Sequence, residues 1–202
     1  MLIIDENLLI ARGSERKCYA HPSMPDYCLK VPVISGLGRS CPQCRIDVYT
    51  AARLKARNVP LLHAPDCLGW VETSMGPAIL VERIIDLDGK NSLTLKESIE
   101  TGEFVWEKIE EMLNTLKKWA VKHAVVISEL NVKNLMYRKN GSGGHLVIID
   151  GLGGRKPDLV FFLRQHIPWM ARQKTKKRWP REFNKVKNSY LKIMKNLSQK
   201  CP

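Results

Sequence analysis

"SELNVKNLMYRKNGSGGHLVIIDGLGG", from Ser128 to Gly154, sets two carboxylates and an asparagine around a strand pair. Asn134 follows Glu129 by five positions, and Leu130 directly follows the acid. In turns of this pattern the acid faces a substrate hydroxyl and the amide oxygen binds magnesium. The strand "HLVIID" ends at Asp150, directly before Gly151, as a metal-binding Asp-Gly turn requires. A strand-end Asp before Gly is also an ordinary turn former, so the ordered pair carries more weight than either member. The first carboxylate is Glu129, where such a site normally has Asp.

Outward from this stretch, the chain divides into a strand-rich opening and a helical remainder. "ENLLIA" from Glu6, "RKCYAH" from Arg16, "DYCLKV" from Asp26 and "AILVERI" from Ala78 read as short strands. Gly13 and "HPSMPD" separate the first three as turns, which predicts a meandering antiparallel sheet. "RIDVYTAARLKA" from Arg45 has helix-forming composition, and one helix packed on that sheet is the simplest arrangement. Thr94 and Glu97 form a possible capping box. Val105, Ile109, Met112, Leu113, Leu116, Trp119 and Ala120 recur at helical spacing from Phe104 to about Lys122, the core helix of a second, mainly helical lobe. "NLMYR" and "HLVIID" flank a "NGSGG" hairpin, and the tail from Asp158 resumes as helix. Phe183, Val186, Tyr190, Ile193, Met194 and Leu197 mark an apolar stripe on that tail, expected to pack on the body rather than enter lipid.

Phosphoryl transfer from ATP needs a cation near the phosphates, carboxylate and amide ligands for magnesium, and a carboxylate that orients the attacking hydroxyl. Lys30 lies in the apolar third strand, where an unpaired ammonium would be costly, and Asp47 on the following helix is the acid best placed to pair with it. The bland alternative is a lysine reaching solvent from an edge strand. "ARGSERKCY", Ala11 to Tyr19, sits where a glycine-rich loop would cover phosphates. Only Gly13 is present, and Ser14, Arg16 and Lys17 could supply donors instead.

The chain has 202 residues, long enough for one domain or two small lobes, and a net charge of +13. The excess is concentrated: from Arg155 to Pro202 there are 14 Lys or Arg against 2 acids. A basic tail on a near-neutral body points to an anionic partner, with a solvated basic face as the alternative. No run of about 18 apolar residues occurs, and "MLIIDENLLIARG" carries acids where a signal peptide needs a basic flank. The expectation is a soluble, cytoplasmic protein with no transmembrane segment and free thiols. Cys41 and Cys44 form one Cys-x-x-Cys, half of a tetrahedral zinc site, readable as a redox or metal pair or as two thiols at a helix start.

"RKCYAHP" (Arg16 to Pro22), the lysine of "CLKV", "DLDGKNSLTL" (Asp86 to Leu95), "LNVKNLM" and "VIIDGLG" together resemble the YrbL family. These PhoP regulatory network proteins are small bacterial proteins with a protein-kinase-like fold. The match is collinear through about Gly154; the tail matches only in being basic and helical. The resemblance implies an α+β, two-lobed protein-kinase-like fold: an N-lobe over residues 1–83 with a small antiparallel sheet and one helix, then a truncated helical C-lobe over 84–202. By position, it implies that Lys30 contacts nucleotide phosphates and Asp47 is its helix partner. Glu82 to Ile84 would form a hinge, Asn134 and Asp150 would hold Mg2+, and Glu129 would stand where the catalytic base stands.

Three departures bear on activity: Asp47 replaces Glu, Ile127 and Ser128 replace the His and Arg before the base, and Glu129 replaces Asp. Without that Arg, control by loop phosphorylation is not expected. The segment after Asp150 reaches a helical stretch within about ten residues, which favours a small-molecule or anionic cell-envelope acceptor over a protein. The readings are therefore an atypical ATP-dependent phosphotransferase, or a pseudokinase scaffold whose basic tail docks an acidic partner. A nucleic-acid binder using "RQKTKKR" (172–178) with Trp169 and Trp179 ranks last, since no groove-reading motif accompanies it.

Overall fold

A computed structural model describes residues 1–33, 38–141 and 143–199. Cys201 and the hairpin residue Ser142 lie outside the described residues. The fold is α+β and divides into two compact units. The first comprises Met1–Leu61, Pro65–Ile84 and Arg155–Asp158; the second comprises Leu62–Ala64, Ile85–Gly154 and Leu159–Pro202.

In the first unit the described residues form a five-stranded antiparallel sheet in the order β1-β2-β3-β5-β4. Its strands are β1 (Leu9–Arg12), β2 (Arg16–Ala20), β3 (Tyr27–Pro32), β4 (Cys67–Thr73) and β5 (Gly76–Glu82). Strand period fixes what each face carries. Tyr19, Leu29, Val31, Ala78 and Leu80 pack on one side with Ile4. Cys28, Ile79 and Val81 pack on the other, with Cys41, Cys44 and Ala51 of the segment that starts and forms α1 (Pro42–Ala56). Lys30 shares the parity of Cys28, and Arg16 that of Cys18, so both cations are carried on the α1 side.

Three differences from expectation appear here. The "ENLLIA" strand begins only at Leu9, because the Asp5 carboxylate accepts from Asn7 N–H and caps a 3-10 turn over Glu6–Leu8. β4 was not foreseen. A register shift between Cys67 and Gly69, with Gly69 at φ +104°, breaks the alternation that marks a strand in sequence. Helix α1 also starts three residues before the expected Arg45, since Cys41 is its N-cap and Pro42 occupies the first turn, where a missing N–H costs nothing.

The second unit contains a three-stranded sheet of β6 (Leu93–Thr94), β7 (Leu135–Asn140) and β8 (Gly143–Ile148). Thr94 and Glu97 complete the capping box at the start of α2 (Leu95–Glu100). Helix α3 (Trp106–Lys122) buries Ile109, Met112, Leu113, Leu116, Trp119 and Ala120 on one stripe. Helices α4 (Leu159–His166) and α5 (Pro168–Ser198) follow. The first part of the expected α5 stripe packs on α3, where the Trp106 ring meets Phe183 at 5.5 Å and Tyr190 at 5.6 Å between centroids, whereas Met194 is exposed. Among the described residues no helix is long and apolar enough to cross a membrane.

On α5 the buried positions Ala171, Thr175, Trp179, Glu182 and Val186 fall on one face. Two of them are polar, and each has a backbone partner. Thr175 Oγ1 donates to Val125 O at 2.8 Å and accepts from Ile127 N at 3.2 Å. A Thr175→Val substitution keeps the shape and removes both bonds inside the core. It is expected to cost about 1–3 kcal/mol, read as a lowered urea midpoint with an unchanged m-value.

Candidate functional site

The residues singled out in the sequence fall into a group within each unit. In the first unit, α1 brings Asp47 to the cations of β2 and β3. Lys30 Nζ lies 3.6 Å from Asp47 Oδ2, with the two side chains 12% and 15% exposed. The same oxygen takes a shorter ion pair from Arg16 Nη1, at 2.5 Å. Gln43 Nε2 donates to the other carboxylate oxygen at 3.2 Å. Arg16 is therefore engaged with the helix acid, a partnership hidden in the sequence because the two are 31 positions apart. Lys17 is engaged too, donating to Glu6 Oε1 at 2.6 Å, and Tyr19 Oη donates to the same oxygen at 2.9 Å. Gly13 and Ser14 lie in the exposed turn between β1 and β2, where Gly13 N donates to Arg16 O at 2.8 Å.

Near the expected hinge, Glu82 N donates to Asp66 O and Arg83 N to Asp26 O, both at 2.8 Å. The Glu82 carboxylate accepts from Asp66 N at 3.0 Å. Ile84 is buried.

In the second unit, Glu129, Asn134 and Asp150 are half-buried and belong to one backbone construction. Ser128 N donates to Gly151 O at 2.8 Å, Glu129 N approaches the same oxygen at 3.3 Å, and Gly153 N donates to Val126 O at 2.8 Å. Ser128, standing where an Arg was expected from the resemblance, is buried and adds a side-chain bond from Oγ to Gly151 O at 2.8 Å. The turn then closes on itself: Lys133 N donates to Asn131 Oδ1 at 3.1 Å and Asn134 N to Asn131 O at 2.8 Å. Ile149 N donates to Asn134 O at 3.0 Å, which registers Asn134 beside the end of β8, one residue before Asp150.

Gly151 is a specific requirement here. Its φ is +98°, and a Cβ at this position would stand 2.5 Å from Glu129 O. Asn134 and Asp150 offer an amide and a carboxylate oxygen, hard donors that suit magnesium, which usually takes few protein ligands and completes its shell with water and phosphate. Among the described residues no group of three or more His, Cys, Asp or Glu could hold a metal alone. A cation at Asn134 and Asp150 would thus depend on phosphate and water for its other ligands.

Two residues that build this site were not read from the sequence. Glu182 on α5 is 0% exposed, and its Oε2 accepts from Leu130 N at 3.1 Å, directly beside Glu129. Arg178 and Lys185 flank the carboxylate at 3.4 and 3.1 Å. Burial alone would raise this carboxyl, but the Leu130 N–H and the two cations outweigh it and hold it below the usual range. Asp86 is the other: its Oδ1 accepts from Ser92 Oγ at 2.5 Å and Lys139 N at 2.9 Å, tying the "DLDGKNS" loop to β7. A sole acid within a strongly basic helix was the available signal for Glu182.

The family described as PhoP regulatory network protein YrbL matches residues 2–187. The chain is 27% identical over 184 residues to YrbL of Escherichia coli (strain K12), covering 90% of this chain and 86% of that one. YrbL of Shigella flexneri matches with the same identity and coverage. Among solved structures, the kinase domain of Mycobacterium tuberculosis PknI (C20A mutant) aligns with a TM-score of 0.48 at 13% identity, over 71% of this chain and 57% of that chain. The fold is α+β, with Lys30 and Asp47 paired in the first unit and Asn134 and Asp150 set on one turn construction in the second. The chain belongs to the YrbL family of PhoP regulatory network proteins.

Since the Glu182 carboxyl is held down in the folded state, its stabilising contribution is complete above the ordinary carboxylate range and is lost as pH falls through its lowered value. A Glu182→Gln variant is expected to lose about 1.5–3 kcal/mol at neutral pH, the scale of a hydrogen bond to a charged group. Its deficit relative to the parent should shrink in acid, measured by denaturation at pH 7 and at pH 3–4 as order-of-magnitude conditions spanning ordinary carboxylate titration.

Proposed function

We propose that the protein is an atypical ATP- and magnesium-binding phosphotransferase acting on a small or anionic cell-envelope acceptor. The observation that carries this reading is the backbone lock of Glu129, Asn134 and Asp150: bonds from Ser128 and Glu129 to Gly151 O, and from Ile149 to Asn134 O, at a position that admits only glycine. A plain turn former would not need its Asp-Gly seated against an acid-Leu turn with an Asn five positions on.

In this reading Lys30 contacts the nucleotide phosphates, with Asp47 orienting its ammonium. Asn134 and Asp150 hold the cation, which when bound neutralises phosphate charge. Glu129 accepts the proton of the attacking hydroxyl. The extra methylene of Glu129 relative to Asp displaces the carboxylate, and a misplacement of about 1 Å costs roughly 100-fold in rate. Slow turnover follows, with nucleotide binding retained.

The second reading, a pseudokinase scaffold, is favoured by α5. That helix carries ten Lys or Arg and one acid, Glu182, which is buried, so its solvent face is strongly cationic, interrupted by the exposed Trp169, Leu191 and Met194. An acidic partner would complement it.

Magnesium and ATP together are expected to raise the melting temperature, and Lys30→Ala and Asp150→Asn should each abolish the shift. A parent protein that shows no shift would end the nucleotide-binding reading. Glu129→Asp is expected to raise ATP hydrolysis or autophosphorylation by about 10- to 100-fold if rate is limited by carboxylate placement; unchanged turnover in that variant would favour the scaffold.

A further inference from the structure

The start of α1 holds a feature that phosphate chemistry does not use. Cys41 is the N-cap residue, Pro42 and Gln43 fill the first turn, and Cys44 stands in the third helical position. Three positions apart across the N-cap and the first helical turn, both side chains pack in one buried cluster with β3 and β5 residues. Both are reduced and buried, Cys41 at 2% and Cys44 at 0% exposure.

We propose that Cys41 and Cys44 are a redox-active dithiol that a hydroperoxide closes into an intramolecular disulfide. The two sulfurs have different chemistry. The neighbouring Cys44 thiol, the first-turn backbone N–H groups and the Arg16 guanidinium pull Cys41 down to about 6, against the penalty of burial. Cys44 moves the opposite way, raised by the neighbouring Cys41 sulfur and by burial. One sulfur is thus the nucleophile and the other a protonated resolving thiol.

The atoms balance as follows. The Cys41 thiolate attacks one oxygen of hydrogen peroxide, the O–O bond breaks, and the departing hydroxide takes up the proton Cys41 released, leaving a sulfenic acid. Cys44 then loses its proton and attacks the Cys41 sulfur. The S–O bond breaks and the hydroxide leaves as water. Two thiols are oxidised by two electrons and one peroxide is reduced to two waters. The burial of both sulfurs selects a small oxidant over a bulky disulfide.

A second thiol pair provides an internal comparison. Cys18 is pulled down to about 7, chiefly by the neighbouring Cys28 thiol. They sit on paired strands, with Cys18 opposite Lys30 and Cys28 opposite Ala20. Diagonal neighbours in a sheet stand about 7–8 Å apart, more than a disulfide spans without moving backbone. An N-cap residue has no ladder holding it, so the Cys41 pair closes first.

Cys44 lies one helical turn before Asp47, the partner of Arg16 and Lys30. A disulfide at the first turn of α1 would therefore reposition the helix that holds that carboxylate. The effect on nucleotide affinity rests on the function proposed above, whereas formation of the bond does not.

The test is mass spectrometry of the intact, reduced chain after hydrogen peroxide, alkylation and trypsin. Cleavage after Arg39 and Arg45 isolates Ser40–Arg45, which contains these two cysteines alone. The expected result is an unalkylated peptide lighter by two hydrogens, restored to a doubly alkylated one by dithiothreitol, from protein that still shows a cooperative melt. Cys44→Ser should stop at a sulfenic acid trapped on Cys41, and Cys41→Ser should leave Cys44 unoxidised. A peptide that stays doubly alkylated, oxidation that appears first at Cys18 and Cys28, or closure only in melted protein would each overturn the proposal.

Discussion

Position 151 has no room for a side chain. The oxygen of Glu129 stands 2.5 Å from where a Cβ would be, and the backbone there is left-handed. This close approach lets Gly151 O accept from Ser128 N, from Ser128 Oγ and, at longer range, from Glu129 N. Without it, the segments bearing Glu129 and Asp150 would have to separate by the width of a methyl group, and the Ile127–Leu152 bridge beside them would open. The arrangement of all three polar candidates in the second unit descends from one missing Cβ.

The basic tail has a structural role within its unit. Helix α5 presents Thr175 and Glu182 from a single buried face, seven residues apart and hence two turns along the helix. The first satisfies Val125 and Ile127, the second Leu130, so the helix supports the acid-bearing segment from behind at both ends. Burying a carboxylate is expensive unless its oxygens are fully engaged. Arg178 and Lys185, one turn to either side of Glu182, supply that engagement. Part of what reads in the sequence as surplus positive charge is therefore committed to a buried anion, and the remaining cations form the solvent face.

How far the sequence disclosed this depends on the length scale of each feature. β3 and β5 carry short apolar runs buried in succession, a local signal, so both were legible as strands and Lys30 stood out as the cation within "CLKV". The helical stripe of α3 was legible for the same reason. β4 was not, because the irregular register at Gly69 disrupts the alternation that identifies a strand. The Arg16–Asp47 pair and the Glu182–Leu130 bond join residues 31 and 52 positions apart, and neither leaves a local pattern. Arg16 was in fact placed by sequence reasoning toward phosphates, since a cation near a turn gives no sign of its distant partner. The family resemblance reached the order of the polar residues but not the buried groups that hold them.

The substitution of Glu for Asp at position 129 can be judged against this framework. A longer side chain is tolerated at a fixed site when the backbone can retreat by the added methylene. Here retreat is blocked on both sides. Leu130 is 1% exposed and its N–H is held by a carboxylate that is itself wholly buried, while Ser128 is bonded to Gly151 through backbone and side chain together. Moving the Glu129 backbone away from Asp150 would break bonds to one support, and moving it sideways would break bonds to the other. The extra length must be absorbed in the side-chain torsions, where each off-rotamer angle costs on the order of 0.5–1.5 kcal/mol. The carboxylate thus reaches an Asp-like position only in a strained minority of conformations. The carboxyl group stays at the site in all of them, so in the phosphotransferase reading proposed above the longer side chain would slow proton transfer without removing the group that would perform it.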